Sequence, residues 1–241
     1  MFWANRLNRI TGIVLLLLPI LSIAGFIAAA PIGELDPFSR GEIEMLLTAI
    51  NGNFWLFITS LVPFVITDVI VLPAIGILIF LIFKDRSHFL ALLCTFGFIV
   101  AAGAFIIHEV GAMILPFLAT DFLVEGGANG IAVGNPIILE IGRTISIMQA
   151  MAALFGQTAM GLGITSISAL IIWAPKGDRN PPRFLGILGI IAGVGNIVTW
   201  SFLLNHIVGG VATLVAETAT IFMVFILGIW LLRQPEISIS K

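Results

Sequence analysis

The sequence predicts an all-α, polytopic integral membrane protein: six transmembrane helices, both termini in the cytoplasm, short loops, and one amphipathic outer segment. Three observations predict it. Hydrophobic residues make up 59% of the chain and charged residues 10%, against roughly 25% charged in soluble domains. The apolar residues gather into runs long enough to cross about 30 Å of hydrocarbon, which takes about 20 helical residues. The cations alternate along the chain. Arg6 and Arg9 precede the first run, Lys84 and Arg86 lie between the second and third, Lys176, Arg179 and Arg183 between the fourth and fifth, and Arg233 and Lys241 follow the last. The intervening loops carry Glu34, Asp36, Glu42, Glu44, Asp121 and Glu125, and only Arg40 and Arg143 break the alternation. Short cytoplasmic loops collect Lys and Arg, so the chain reads as a multi-pass protein of the cytoplasmic membrane.

The first span is expected over residues 10–30, after Arg9. Ala28-Ala29-Ala30 resembles a signal-peptide cleavage site, but Pro31 directly after it is a poor cleavage position, so the span is read as retained. The second, over 54–83, is long enough to tilt, and Pro63 and Pro73 place kinks in it. The third runs over 89–116. The fourth is apolar over 145–173, its helix starting near Ile137 after Pro136. The fifth covers 184–204 and the sixth 208–232. Together they form a single domain over 1–241. Trp55 and Trp200 then fall near the outer interface, and Trp3, Trp173 and Trp230 near the inner one.

Two outer loops carry pattern. Arg40 to Ile50 reads as a short amphipathic helix lying on the membrane surface. Gly126 to Pro136, rich in Gly and Asn, reads as a flexible connector. Arg9-Ile-Thr-Gly-Ile-Val and Arg183-Phe-Leu-Gly-Ile-Leu open spans one and five alike, which an interface anchor of Arg followed by a helix start explains.

Small residues mark packing faces. Gly186, Gly189, Gly193 and Asn196 recur at helical spacing in span five, Ala159 and Gly163 in span four, and Gly210, Thr213, Glu217 and Thr220 on one face of span six.

Ionisable residues inside spans are costly unless partnered or hydrated, and mark candidate sites. These are Asp68 in span two, His108 and Glu109 in span three and Glu217 in span six, with His206 at the outer end of span five and Gln157 and Asn196 as neutral companions. At a rise of 1.5 Å per residue, Glu217 lies about 22 Å, Asp68 and Gln157 about 24 Å, and His108 and Glu109 close to 30 Å above the cytoplasmic ends of their spans. All fall in the outer half, which predicts one connected polar site opening outward. Arg143 stands near its mouth. It pairs with Glu140 along its own helix, or neutralises Glu109 or an anion.

Several functions are excluded. There is no Tyr, and no Lys inside a span, so phenol chemistry and a retinal Schiff base have no residue to use. Cys94 is the only cysteine, and nucleotide-loop, HExxH and GxSxG motifs are missing. No catalytic residue is assigned, and the chain reads as a non-enzyme with no nucleic-acid partner. The first reading is a non-catalytic helical bundle, an accessory or structural subunit contacting membrane lipids and other membrane subunits through its small-residue faces. The second is a small-solute or proton-coupled transporter using Asp68, Glu109, Gln157, Asn196, Glu217 and Arg143. No cofactor is assigned in either. A third reading places haem b between His108 and His206, and a fourth a metal ion among His108, Glu109, His206 and Glu217.

Arg9-Ile-Thr-Gly-Ile-Val-Leu-Leu-Leu-Leu, Asp68 with its apolar run to Phe83-Lys84, and Pro182-Arg183-Phe-Leu-Gly-Ile-Leu-Gly-Ile-Ile-Ala-Gly resemble a group of bacterial six-span membrane proteins known only as a domain of unknown function. The resemblance covers the whole length in layout and implies the fold, with no activity attached to it.

Overall fold

A computed structural model describes residues 2–29, 40–124, 133–173, 181–199 and 206–234. The elements in order are α1 (Phe2–Ala29), α2 (Arg40–Gly52), α3 (Phe54–Ile66), a π turn (Thr67–Val71), α4 (Leu72–Phe83), α5 (His88–Phe122), the strands β1 (Leu123–Val124) and β2 (Val133–Gly134), α6 (Pro136–Ile172), α7 (Arg183–Val198) and α8 (His206–Leu232). Among the described residues, five helical stretches are long and apolar enough to cross a membrane: Arg6–Gly25, Phe54–Phe83, His88–Phe122, Pro136–Ile172 and Val211–Leu232. Arg183–Val198 is apolar but shorter. Expectations for residues 31–39, the connector at 126–132, Lys176, Arg179, Trp200 and Lys241 fall outside the described residues, as do the side chains of Trp3, Arg40, His206 and Gly210.

Local signals explain several boundaries. α6 starts at Pro136, whose missing N–H costs nothing at the first helical position, and Asn135 Oδ1 accepts from the N–H of Ile137 at 3.0 Å as the cap. The apolar part of this span is therefore preceded by two further helical turns. Pro116 was expected to end the third span, but α5 continues to Phe122. The loss of one N–H is offset there by packing, since Leu115, Ala119 and Phe122 on this last stretch are all buried in one cluster. The loop after α5 is not wholly irregular either: Leu123 and Val124 pair antiparallel with Gly134 and Val133.

The chain divides into two compact units, one of residues 1–20, 67–103 and 154–241, the other of 21–66 and 104–153. In the first, α4 packs on the start of α5, where Gly76 sits against Thr95 and Thr95 Oγ1 donates to the Gly76 carbonyl at 2.8 Å. α5 and α6 touch at Gly97, where a Cβ would lie 2.6 Å from the Ala159 carbonyl oxygen. The stripe on α7 faces α6: Gly186 meets Ser168 and Ile172, Gly189 meets Ser168, and Gly193 meets Thr165 and Gly161. One face over, Gly195 meets Ala216 of α8, and Gly12 of α1 meets Gly228 of α8. Close backbone approach at small residues is the usual way membrane helices associate, because lipid offers no hydrophobic drive between them.

In the second unit, α2 lays Ile43, Leu47 and Ile50 against Leu115, Ala119 and Phe122 of α5 and Leu139 of α6. All three α2 residues are fully buried. The amphipathic stripe that predicted a surface-lying helix is thus covered by protein, while Glu44, Met45 and Thr48 face out.

Candidate functional site

Each unit brings together its own polar groups. In the second unit the reciprocal pair is His108 on α5 and Gln149 on α6. His108 Nδ1 lies 3.0 Å from the Gln149 carbonyl oxygen, and Gln149 Nε2 donates to the His108 carbonyl at 3.2 Å. A carbonyl only accepts, so Nδ1 carries the hydrogen. In the neutral imidazole, Nε2 is then the acceptor, the arrangement found in ligating histidines and equally in a histidine that only packs. Gly111, one turn on, makes room: a Cβ there would stand 2.5 Å from Gln149 Cγ. Gln149 was not singled out by the sequence, and the glycine one turn beyond His108 was the available signal.

Glu109 is buried in the same unit. Arg143 Nη1 lies 3.8 Å from Glu140 Oε2, three residues back on α6, with both side chains partly exposed, so the pair contributes at most about 1 kcal/mol. The Arg143 Nε and the Ser146 hydroxyl are buried without hydrogen-bond partners among the described residues.

In the first unit, Asn196 on α7 is fully buried and its Nδ2 donates to the Ala192 carbonyl at 2.8 Å and to Thr220 Oγ1 of α8 at 3.3 Å. Thr220 passes its hydrogen to the Ala216 carbonyl at 2.7 Å. On the α6–α7 contact, Asn196 Oδ1 and Thr165 Oγ1 are buried without hydrogen-bond partners among the described residues. Gln157 and Glu217 are half-buried. The inward face of α8 is centred on Ala216, Thr220, Met223, Leu227 and Leu231. Glu217 and Thr213, expected on one face with Thr220, are half-buried beside it, and Thr220 is fully within it.

Asp68 occupies the second position of the π turn and is buried. A π turn arises where one residue too many is taken into a helical turn. Here it lies between Pro63 and Pro73, whose missing N–H groups withhold donors from the ladder.

Among the described residues, no group of three or more His, Cys, Asp and Glu comes together that could hold a metal ion. The four-ligand metal reading and the bis-histidine haem reading both require His206, which opens α8 but whose side chain lies outside the described residues.

Long apolar helices in contact through glycines, with several polar groups bonding across helix contacts, define a polytopic helical membrane protein. Within that class the chain belongs to the family described as domain of unknown function (DUF4386), whose pattern matches residues 10–234. No curated relative and no solved structure matches it.

Proposed function

We propose that this chain is a non-catalytic integral membrane bundle of six spans, amino and carboxyl ends cytoplasmic, residing in the cytoplasmic membrane as an accessory or structural subunit of a membrane complex. The observation that carries the reading is the use made of polar groups at helix contacts. Thr95 bonds to Gly76, His108 and Gln149 bond to each other's main chain, and Asn196 bonds to Thr220. Each bond ties one helix to the next, the work such groups do in a structural bundle. The exposed cations Lys84 and Arg86 between α4 and α5, Arg183 at the start of α7 and Arg233 after α8 support the proposed orientation. The α7 glycines already meet α6, so a partner subunit engages other faces, such as those carrying Phe155 on α6 and Phe222 on α8, both well exposed.

The test is extraction in a mild detergent followed by native mass measurement. Co-purification of a stoichiometric membrane partner is expected, and a clean monomer without bound protein overturns the subunit role. For orientation, Cys94→Ala with Phe38→Cys is expected to label from the outer side. Labelling only from the cytoplasmic side overturns the topology.

A further inference from the structure

α5 and α6 are longer than a bilayer is thick. At 1.5 Å per residue their 35 and 37 residues run about 52 and 56 Å, against roughly 40–45 Å for a bilayer with its headgroups. An end of each therefore stands beyond the hydrocarbon. The exposed surface of the second unit locates the boundary. On α5 it is apolar at Ile106, Val110, Met113, Ile114 and Phe117, then polar at Thr120 and Asp121. The chain entering α3 makes the opposite change, from Asn51, Gly52 and Asn53 to Trp55, Leu56, Val62 and Ile66. Thr59 is exposed on the apolar side as well, but its hydroxyl donates to the Trp55 carbonyl at 2.9 Å and needs no water. The two changes fall at one level. The Phe54 ring stands edge-on to Trp55 at 5.3 Å and to Phe117 at 6.1 Å, while Trp55 is 75% and Phe117 62% exposed. α6, aligned with α5 by the His108–Gln149 bonds and the ladder, is mixed over the same stretch: Ile137, Glu140, Ile141 and Thr144 are all exposed.

We propose that Phe54, Trp55 and Phe117 form a lipid-contact surface at the headgroup boundary, and that α2, the ends of α5 and α6 and the two-stranded ladder form a water-facing cap beyond it. The chemistry fits the partner. Trp is enriched at membrane–water interfaces, where its apolar ring meets acyl chains and its N–H meets glycerol and headgroup oxygens. The two Phe rings supply only the apolar part, which suits the edge of the hydrocarbon. α2 does not fit lipid. A helix lying in the interface needs a free apolar face, and Ile43, Leu47 and Ile50 are all engaged with Leu115, Ala119, Phe122 and Leu139. Its outward face carries Glu44, Met45 and Thr48, and a carboxylate there belongs in water. The cap goes beyond the subunit role proposed above and does not depend on it, since all its parts belong to one unit.

The experiment uses the full chain with Cys94→Ala in phosphatidylcholine–phosphatidylglycerol vesicles. Nitroxide labels are placed one at a time through Thr48→Cys, Thr120→Cys, Val62→Cys and Val110→Cys, all at exposed positions that tolerate a label. Collision with a water-soluble nickel chelate is expected to exceed collision with oxygen at positions 48 and 120, and the ratio to invert at 62 and 110. Oxygen-dominated relaxation at 48 or 120 overturns the cap. Trp55 fluorescence then reads the boundary, in a variant carrying Trp3→Phe, Trp173→Phe, Trp200→Phe and Trp230→Phe. Stronger quenching is expected from lipid brominated near the glycerol end of its acyl chains than from lipid brominated near the chain ends. The reverse order overturns the boundary. If that variant does not fold, a nitroxide through Phe117→Cys decides: an intermediate collision ratio is expected, and one equal to that at 110 or at 120 overturns the boundary. Neither readout involves a partner protein, so failure here and failure of the subunit role are told apart.

Discussion

His108 and Gln149 hold each other through opposite halves of their structures: the side chain of each bonds to the main chain of the other, at 3.0 and 3.2 Å. Neither side chain depends on the other for its partner. Removing one therefore leaves the second bond standing.

That independence gives a double-mutant cycle with a stated result. His108→Ala and Gln149→Ala should each lower stability in detergent, by about 0.5–1.5 kcal/mol for the lost bond and more for the lost packing. Their coupling should stay below about 0.5 kcal/mol. Chemical or thermal unfolding of the four proteins measures it, and a large positive coupling would show that the imidazole and the amide interact directly.

A pair of alanine substitutions on α5 separates packing from propensity. At Gly97 a Cβ would lie within 2.6–2.8 Å of the Ala159 carbonyl oxygen and the Gly163 backbone, which cannot step aside. Gly97→Ala should destabilise by about 1–3 kcal/mol. Gly103 has nothing within 4 Å of its would-be Cβ. Gly103→Ala should be neutral or stabilise by up to about 1 kcal/mol, the difference in helix propensity. Unfolding midpoints of the two variants check both signs.

Thr220→Val keeps shape and removes the hydroxyl that accepts from Asn196 and donates to Ala216. Asn196 Nδ2 retains the Ala192 carbonyl, so the expected loss is modest, about 0.5–1.5 kcal/mol. Hydrogen exchange should rise in α7 and α8 and stay unchanged in α2.

For α2 the contrast is between its two faces. Leu47→Ala should cost about 2–5 kcal/mol, because Leu47 is fully buried in the cluster with Leu115, Phe122 and Leu139. Met45→Ala, on a side chain 57% exposed, should change stability by less than about 0.5 kcal/mol. Limited proteolysis around residues 40–52 reads the difference. Equal sensitivity of both variants would place the apolar face of α2 against lipid instead.

These helices were legible because lipid imposes a length and an apolar composition that local sequence carries. The start of α6 was legible from Asn135-Pro136, a cap and a first-turn proline written side by side. Contacts between helices were less so. Gln149 stands in the run Ile147-Met-Gln-Ala-Met151, and nothing local says that it comes level with His108, since the register of two antiparallel helices is a property of the folded pair. The stripe of α2 reads the same whether lipid or protein covers it, and only the ends of α5 and α6 decide between them. Periodicity put Glu217 on the face of Thr220, but Ala216, fully buried against Gly195, turns that face away from it. Pro63 and Pro73 announced a disturbed span; that the disturbance takes the form of a π turn at Asp68 was not legible from them.

The short ladder after α5 bears on how this part of the chain tolerates insertions and deletions. Leu123 pairs with Gly134, and the Asn135 N–H bonds to the Phe122 carbonyl at 2.9 Å; farther along, His108 is bonded to Gln149. The arm from His108 to Phe122 and the arm from Asn135 to Gln149 match residue for residue, so the two fastenings are spaced identically on both helices. One residue added to a single arm would advance that helix by 1.5 Å and rotate it by about 100°, and one fastening or the other would have to open. Length in these arms can change only in both together, as a matched pair.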